Sequence, residues 1–397
     1  MKKLLFITTS SLAANPRLVK EFETLKEHYH CFVICFKHKD WSLEPSEGIK
    51  QRNRDVNFIE IDRHSSIYQT LVSKFLHKAA IIFNGWFSKK LAVCAYASND
   101  KSYQLYMETM ALAKTHDFHR VIAHNLGAFY PALKVSRRYN VPLQLDIEDF
   151  YPGEAVYYNE GMEQQNRMNL MSISFGAADY ITYASEGIYL ECEKHFTVDS
   201  KTKKLVLINA FNASDFIEPK TNPSGTLKCV WFSQRIGPNR GLESVFQAAE
   251  RLKHVEFHLI GNANQDFINS QSLGSNIKLH DSMTQEELHK FISHMDIGLA
   301  LENPDVDPNR NICLTNKILA YFQAGCYILA TNTFGQSHFL NSFDYHVGDM
   351  ITSTLENAIS SLEMNAFDAS EKVERWKKAK MIAWDNEQVK LRHLFLT

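Results

Sequence analysis

Short runs of β-branched and aromatic residues alternate with helical patterns along nearly the whole chain, and no other feature narrows the fold as much. In the first half the runs are KKLLFIT (2–8), HCFVICF (30–36), VNFIEI (56–61), RVIAHN (120–125), PLQLDI (142–147), YITYAS (180–185) and KLVLIN (204–209). Apolar runs of this length, separated by helices, are strands of a parallel sheet covered on both faces. Helices are expected at Pro16–His28, Tyr103–Thr115 and Tyr130–Tyr139. The polar stretch EPKTNPSGT (218–226) breaks the rhythm with two prolines and a glycine, and a second series follows: CVWFSQ, EFHLIG, IKLHD, DIGLAL and YILAT. A chain of 397 residues is too long for one ordinary core. The reading is an α/β protein of two doubly wound, Rossmann-like domains facing a central cleft. Residues 1–215 form the first, 218–226 the linker and 222–374 the second. From Ala369 to Leu396 a strongly amphipathic segment carries Trp376 and Trp384 and must dock on something.

Composition excludes several classes. Lysine and arginine (43) nearly balance aspartate and glutamate (45), so no global field selects nucleic acid, and an anionic ligand must be held by local charge. Seven cysteines, with no C-x-x-C pair, sit mostly in strand-like runs and suit reduced core residues of a cytoplasmic protein. The opening MKKLLFITTSS imitates a signal peptide, but its apolar part is about five residues against the ~7–15 required. It is expected to be a first buried strand. Seventeen histidines invite zinc readings, yet His28/His30 and His116/His119 lack partners at ligand spacing.

Two places in the second series suit a diphosphate. Strand CVWFSQ runs into Arg235-Ile-Gly-Pro-Asn-Arg240-Gly241 and then a helical LESVFQAAERL. A glycine-containing loop at a helix N-terminus is where such folds hold phosphate, because unpaired N–H groups and the helix dipole face the ligand. Arg235 and Arg240 would add charge-assisted contacts; the plainer reading makes both surface groups. Further on, DIGLALENPDVDPNRNICLTNKILAYFQAGCYILATNT ends a strand near Glu302, and Thr315 caps a helix over Asn316–Ala324 that stops at Gly325.

These residues resemble the donor-binding core of the GT-B fold glycosyltransferases, above all the large retaining family 4. That family's Gly-Arg-Leu, short loop and Lys-Gly correspond to Gln234-Arg235-Ile236 and Arg240-Gly241. Its Pro-Asn-Lys-Leu-Phe-Glu-Tyr-Met-Ala-Ala-Gly resembles Thr315-Asn316-Lys317-Ile318-Leu319-Ala320-Tyr321-Phe322-Gln323-Ala324-Gly325. FHLIGN (257–262) and IKLHDSMTQEELHKFISHMDIGLAL (277–301) match its strand-glycine turn and the layout that follows. VIAHN (121–125) and LDIEDFYPGE (145–154) look like its cleft-facing His-Asp or His-Asn strand and its Asp-x-His-Glu segment. Trp384-Asp-Asn resembles the tryptophan opening the last helix, so that about 375–397 would pack back onto the first domain.

The resemblance implies transfer of a sugar from a nucleotide-diphosphate sugar to an acceptor hydroxyl, with retention and without a metal or other cofactor. Arg235, Arg240 and His124 would be catalytic. Gly237, Gly241, Gly261, Asn262, Thr315, Asn316 and Lys317 would bind donor, and Arg17 and Asp149 would face a glycan or lipid-linked glycan acceptor. The expected setting is bacterial surface polysaccharide assembly at the inner face of the cytoplasmic membrane. The chain departs from the family at Ala320, where a ribose-binding glutamate is usual, at Ile312 eight residues earlier, and in Asp146-Ile147-Glu148-Asp149, which lacks the histidine. A non-catalytic partner of an active transferase and a sugar-nucleotide epimerase are the alternatives. Asp305-Val-Asp307 imitates a metal-binding Asp-x-Asp, but it is short, bracketed by prolines and late in the sheet. Finally, Ser65 to Ala97 interleaves apolar residues with Lys74, Lys78, Lys89 and Lys90. It is either an ordinary helix with lysines on its wet side or a surface resting on anionic lipid.

Overall fold

The computed structural model describes residues 1–87, 90–220, 225–305, 307–362 and 367–396, without the side chains of 85–87. Trp86, Phe87 and Lys89 of the basic-aromatic stretch therefore lie outside the described side chains. The chain divides into two compact units, residues 1–207 with 390–397, and residues 208–389.

Unit 1 holds a seven-stranded sheet: β1 (Lys3–Thr8), β2 (His30–Lys37), β3 (Asn57–Asp62), β4 (Arg120–His124), β5 (Leu143–Ile147), β6 (Tyr180–Tyr183) and β7 (Lys203–Val206). Their order is β3-β2-β1-β4-β5-β6-β7, every neighbour parallel. All seven lie where the sequence runs place them, within a few residues. Burial on both faces explains the unbroken apolar runs: Leu4, Leu5, Phe6 and Ile7 are all inaccessible to solvent.

Unit 2 repeats the plan with β8 (Leu227–Ile236), β9 (Val255–Ala263), β10 (Ile277–His280), β11 (Ile297–Ala300), β12 (Tyr327–Thr331) and β13 (Gly348–Ile351), in the order β10-β9-β8-β11-β12-β13. The sixth strand, GDMI, is too short and polar to stand out in the sequence. Alternate residues feed two cores. Trp231, Leu299 and Leu329 pack with helix Leu242–Arg251 on one face; Val230, Ala300 and Ile328 pack with helix Asn316–Gln323 on the other. In both sheets the order reverses beside the first strand, between β1 and β4 and between β8 and β11. Loops at the carboxyl ends of strands flanking such a reversal form the crevice where ligands bind.

The compact units divide at different residues from those of the sequence reading. The described ends of the Pro/Gly-rich stretch, 218–220 and 225–226, fall within unit 2, and the division comes earlier, at Leu207/Ile208. From Ile208 onward the backbone is tied to unit 2: Ile208 N–H donates to Glu387 and Phe211 N–H to Gln323. The C-terminal segment is two helices, Ala369–Ala379 and Trp384–Leu396, with a short 3₁₀ turn between them. Only its last eight residues, 390–397, belong to unit 1 rather than everything from 375. There the Arg120 guanidinium lies between the rings of Tyr180 and Phe395, 3.5 and 3.8 Å from their centroids. Tyr29 Oη donates to the Phe395 carbonyl at 3.3 Å.

Candidate functional site

At the reversal point of unit 2, β8 does not run straight into its loop. Its register against β9 slips between Phe232 and Arg235, then resumes with Arg235 opposite Asn262 and Ile236 opposite Ala263. A bulge of this kind re-aims the following side chain. Gly261 makes it sterically feasible: its φ is +146°, and a Cβ there would collide with the Ser233 carbonyl. The loop then turns through Asn239 (φ 61°) and Gly241 (φ 74°) into helix Leu242–Arg251. Gly241 occupies the N-cap position, so no side chain covers the first amides of that helix.

Arg235 is exposed and Arg240 half-buried, and among the described residues neither side chain has a hydrogen bond or ion pair. The other cations nearby are engaged. Lys317 is buried and paired with Glu302 at 2.6 Å, its ammonium 5.9 Å from the Trp231 ring. Arg310 donates to the Asn239 carbonyl at 2.6 Å, tying helix Pro308–Ile312 to the arginine loop. Sequence reasoning missed Arg310, because its role depends on a five-residue helix hidden among prolines. That helix also accounts for Asp307, whose carboxylate accepts the Asn309 amide at 2.8 Å as its N-cap.

Helix Asn316–Gln323 brings a second N-terminus to the same end of the sheet. It can lie close because β11 carries Gly298, where any Cβ would strike the Tyr321 ring. Thr315 holds the N-cap position, but its hydroxyl caps nothing and is buried with no partner. Asn316 is exposed and accepts from Asn209 Nδ2 at 3.2 Å. Asn262 is exposed and accepts from Ser282 Oγ at 3.1 Å, while Gly237 is buried. Ala320 is fully buried in an apolar cluster. The position where the family places a ribose ligand thus belongs to the core.

A pocket of about 710 Å³ opens beside this site, along helix Leu242–Arg251. Glu243, Glu250, Glu302 and Glu356 line it, and its arginine, Arg251, is already 3.2 Å from Glu356. Glu302 is neutralised by Lys317 and Glu356 by Arg251, so among the described residues Glu243 and Glu250 are the lining carboxylates that oppose an anion. Asn239, Gly241 and Ser244 line the pocket too, so the arginine loop and the first turn of helix Leu242–Arg251 form part of its wall.

Unit 1 carries a different chemistry at its own reversal point. One register row crosses four strands as Thr8, His124, Asp146 and Thr182. Arg17, from helix Pro16–Leu25, grips Asp146 with both prongs, Nε to Oδ2 at 2.6 Å and Nη2 to Oδ1 at 2.7 Å, and donates Nη1 to the Leu207 carbonyl. His124 Nδ1 lies 3.2 Å from Asp146 and 3.3 Å from Glu148, and its Nε2 lies 3.5 Å from Glu21. Burial works against charge on the His124 ring, yet Glu21 and Asp146 hold its pKa well above the usual value. Burial likewise opposes ionisation of Asp146, but the Arg17 and His124 charges hold its carboxyl well below the carboxylate range. Glu21 is pushed up, first by burial and then by Asp146.

Arg17 and His124 are thus placed differently from the sequence expectation. Both are completely enclosed and paired within the sheet's edge, because Asp146 and Glu21 need cations where water is absent. Asp149 is half-buried, just beyond β5. Glu21, His124 and Asp146 bring ligand atoms within 4.8 Å of one another, a spacing that suits a metal. The guanidinium of Arg17 already covers both oxygens of Asp146 there. Next to this cluster Asn125, at φ 61°, spans the crevice: its Oδ1 accepts from Thr9 N–H and Oγ1 at 3.1 and 2.6 Å, and its Nδ2 donates to Thr8 Oγ1 at 3.0 Å.

No protein-family model and no curated protein sequence matches the chain. Solved structures do. The chain is similar over its full length to Anabaena HepE in complex with UDP-glucose, at 12% identity, 99% coverage of that chain and a TM-score of 0.67. It is similar to sucrose-phosphate synthase from Thermosynechococcus elongatus at 11% identity, 98% coverage and a TM-score of 0.70. A glycosyltransferase from Rickettsia africae matches at 12% identity, 97% coverage and a TM-score of 0.63. At these identities the likeness is one of fold, and that fold is GT-B.

Proposed function

We propose that the chain is a glycosyltransferase that moves a sugar from a nucleotide-diphosphate sugar to an acceptor hydroxyl, with retention at the anomeric carbon and without a metal. The observation that carries this reading is the contrast among cations at the reversal point of unit 2. Lys317 and Arg310 have internal partners, whereas Arg235 and Arg240 have no hydrogen bond or ion pair among the described residues and stand beside two helix N-termini. Arginines left unpaired beside open amides are built for an external anion, and a diphosphate fits their number. The GT-B fold, seen with UDP-glucose bound in Anabaena HepE, makes uridine nucleotides the first to test.

In the reaction the acceptor oxygen bonds to the anomeric carbon as the bond from that carbon to the β-phosphate oxygen breaks. Negative charge grows on the departing diphosphate, and Arg235, Arg240 and the first turns of helices Leu242–Arg251 and Asn316–Gln323 stabilise it without reorganising. The acceptor proton passes to a leaving phosphate oxygen, so no protein base is required. His124, enclosed among carboxylates, acts by fixing the end of β4 rather than by touching substrate. A glycan or lipid-linked glycan of a bacterial surface polymer is the acceptor class proposed, with Asp149 on its side.

Ala320 and the neutralised Lys317 favour a second reading, a binding-only relative that partners an active transferase. Calorimetry against uridine, guanosine and adenosine diphosphates and their sugars separates the two. Binding of one nucleotide sugar with turnover on a suitable acceptor supports the transferase, and absence of binding to every donor supports the partner.

A further inference from the structure

Helix Ile67–Phe87 of unit 1 has its polarity reversed. Its buried face is Thr70, Ser73, Ala80 and Asn84. Polar contacts hold that face down: the Ser73 hydroxyl donates to the Asp100 carbonyl, Gln104 Nε2 donates to Thr70 Oγ1 at 3.2 Å, and His77 Nδ1 donates to the Tyr96 carbonyl at 2.6 Å. The outward face carries Tyr68, Leu71, Phe75 and Ile82, which are 79%, 61%, 69% and 74% exposed. At 3.6 residues per turn these four fall within an arc of about 60° and form a stripe about 21 Å long. A helix lying on a water-soluble unit turns its apolar stripe to the core, so this one is patterned for a second apolar medium.

Charge identifies the medium. Residues 63–99 contain Arg63, Lys74, Lys78, Lys89 and Lys90 and no aspartate or glutamate, in a chain whose net charge is −2. Lys74 and Lys78 are exposed on one flank of the stripe. A second copy of the chain would bring its own Lys74 and Lys78 to the same contact, which opposes that occupant. No described helix is long and apolar enough to cross a membrane. We propose that this helix lies flat in the interface of a bilayer containing anionic lipid, with the Tyr68–Ile82 stripe at the acyl boundary and Lys74 and Lys78 among the headgroups. Of the two readings the sequence allowed for 65–97, the wet face therefore bears more than lysines.

The inference does not rest on nucleotide binding, and its test uses none. The full chain is floated with vesicles of phosphatidylcholine alone and of phosphatidylcholine mixed with phosphatidylglycerol. Partition into the anionic vesicles should exceed that into neutral ones roughly tenfold or more and should fall as salt rises. Phe75→Ser with Ile82→Ser should reduce partition about tenfold with the circular dichroism spectrum unchanged. Lys74→Glu with Lys78→Glu should abolish the preference for anionic lipid. Equal partition into both vesicles, no flotation with either, or a vesicle-independent dimer that the double serine variant disperses would overturn the proposal.

Discussion

Arg235 and Arg240 differ from Lys317 in what surrounds them, and substitution should separate them by the property that fails. Arg240→Ala and Arg235→Ala remove no hydrogen bond or ion pair to the described residues, so thermal stability should hold while nucleoside-diphosphate affinity falls tenfold or more. A charge-assisted contact contributes about 1.5–3 kcal/mol, and tenfold corresponds to about 1.4. Lys317→Met should behave oppositely, because it leaves the buried carboxylate of Glu302 uncompensated. Breaking such a pair costs on the order of 3–5 kcal/mol, read as a lowered unfolding midpoint in denaturant. The unit 1 cluster makes a pH prediction. The raised pKa of His124 means that its stabilisation is fully present below its unfolded value, about pH 6.5, and is lost as pH rises through the folded value. The raised pKa of Glu21 acts in the same direction. Asp146 acts in the other: its contribution is present above about pH 4 and is lost as pH falls through its depressed folded value. Ring nitrogen spectra at pH 7.5 should show His124 protonated at both positions, and a neutral tautomer would contradict this electrostatic account.

Elements place these residues, and two glycines decide how. Gly261 admits the bulge that aims Arg235, and Gly298 lets helix Asn316–Gln323 lie against β11. Gly261→Ala should force the β8–β9 crossing apart, costing roughly 1–3 kcal/mol of stability and weakening nucleotide binding with both arginines intact. Removing residues 390–397 takes Phe395 off the Arg120 guanidinium and its carbonyl off Tyr29. Unit 1 should then melt at lower temperature while unit 2 keeps its midpoint, as differential scanning calorimetry would resolve. At this scale the sequence was legible where patterning repeats. Strand runs and glycine loops declared themselves because each depends on neighbours in sequence. The Arg17–Asp146 fork joins residues far apart in the chain, and Glu302–Lys317 joins the end of a strand to the helix after an intervening loop. Neither leaves a local signal, and for that reason Arg17, at the start of the expected helix, reads as facing an acceptor.

For the whole molecule, two parallel sheets with the same reversal carry opposite solutions. The crevice of unit 1 is bridged by Asn125 and flanked by an enclosed ionic cluster, whereas in unit 2 Arg235 and Arg240 have no hydrogen bond or ion pair among the described residues and the Gly241 N-cap supplies no side-chain bond. The doubly wound architecture was readable from alternation alone, but the boundary was not. The division falls at Leu207/Ile208, ahead of the prolines, where Ile208 and Phe211 are bonded to Glu387 and Gln323 of unit 2. The alanine at 320 was visible from the start, and its burial shows that any ribose contact must come from elsewhere. The central claim, a diphosphate site formed by Arg235 and Arg240 without a metal, is tested most directly by calorimetric titration of the wild-type chain and the Arg240→Ala variant with UDP, GDP and ADP in the presence of a chelator. The account predicts that one nucleotide binds the wild type with the chelator present and binds the variant at least about tenfold more weakly. Equal affinity in the two proteins, or binding that appears only when a divalent cation is added, would contradict it.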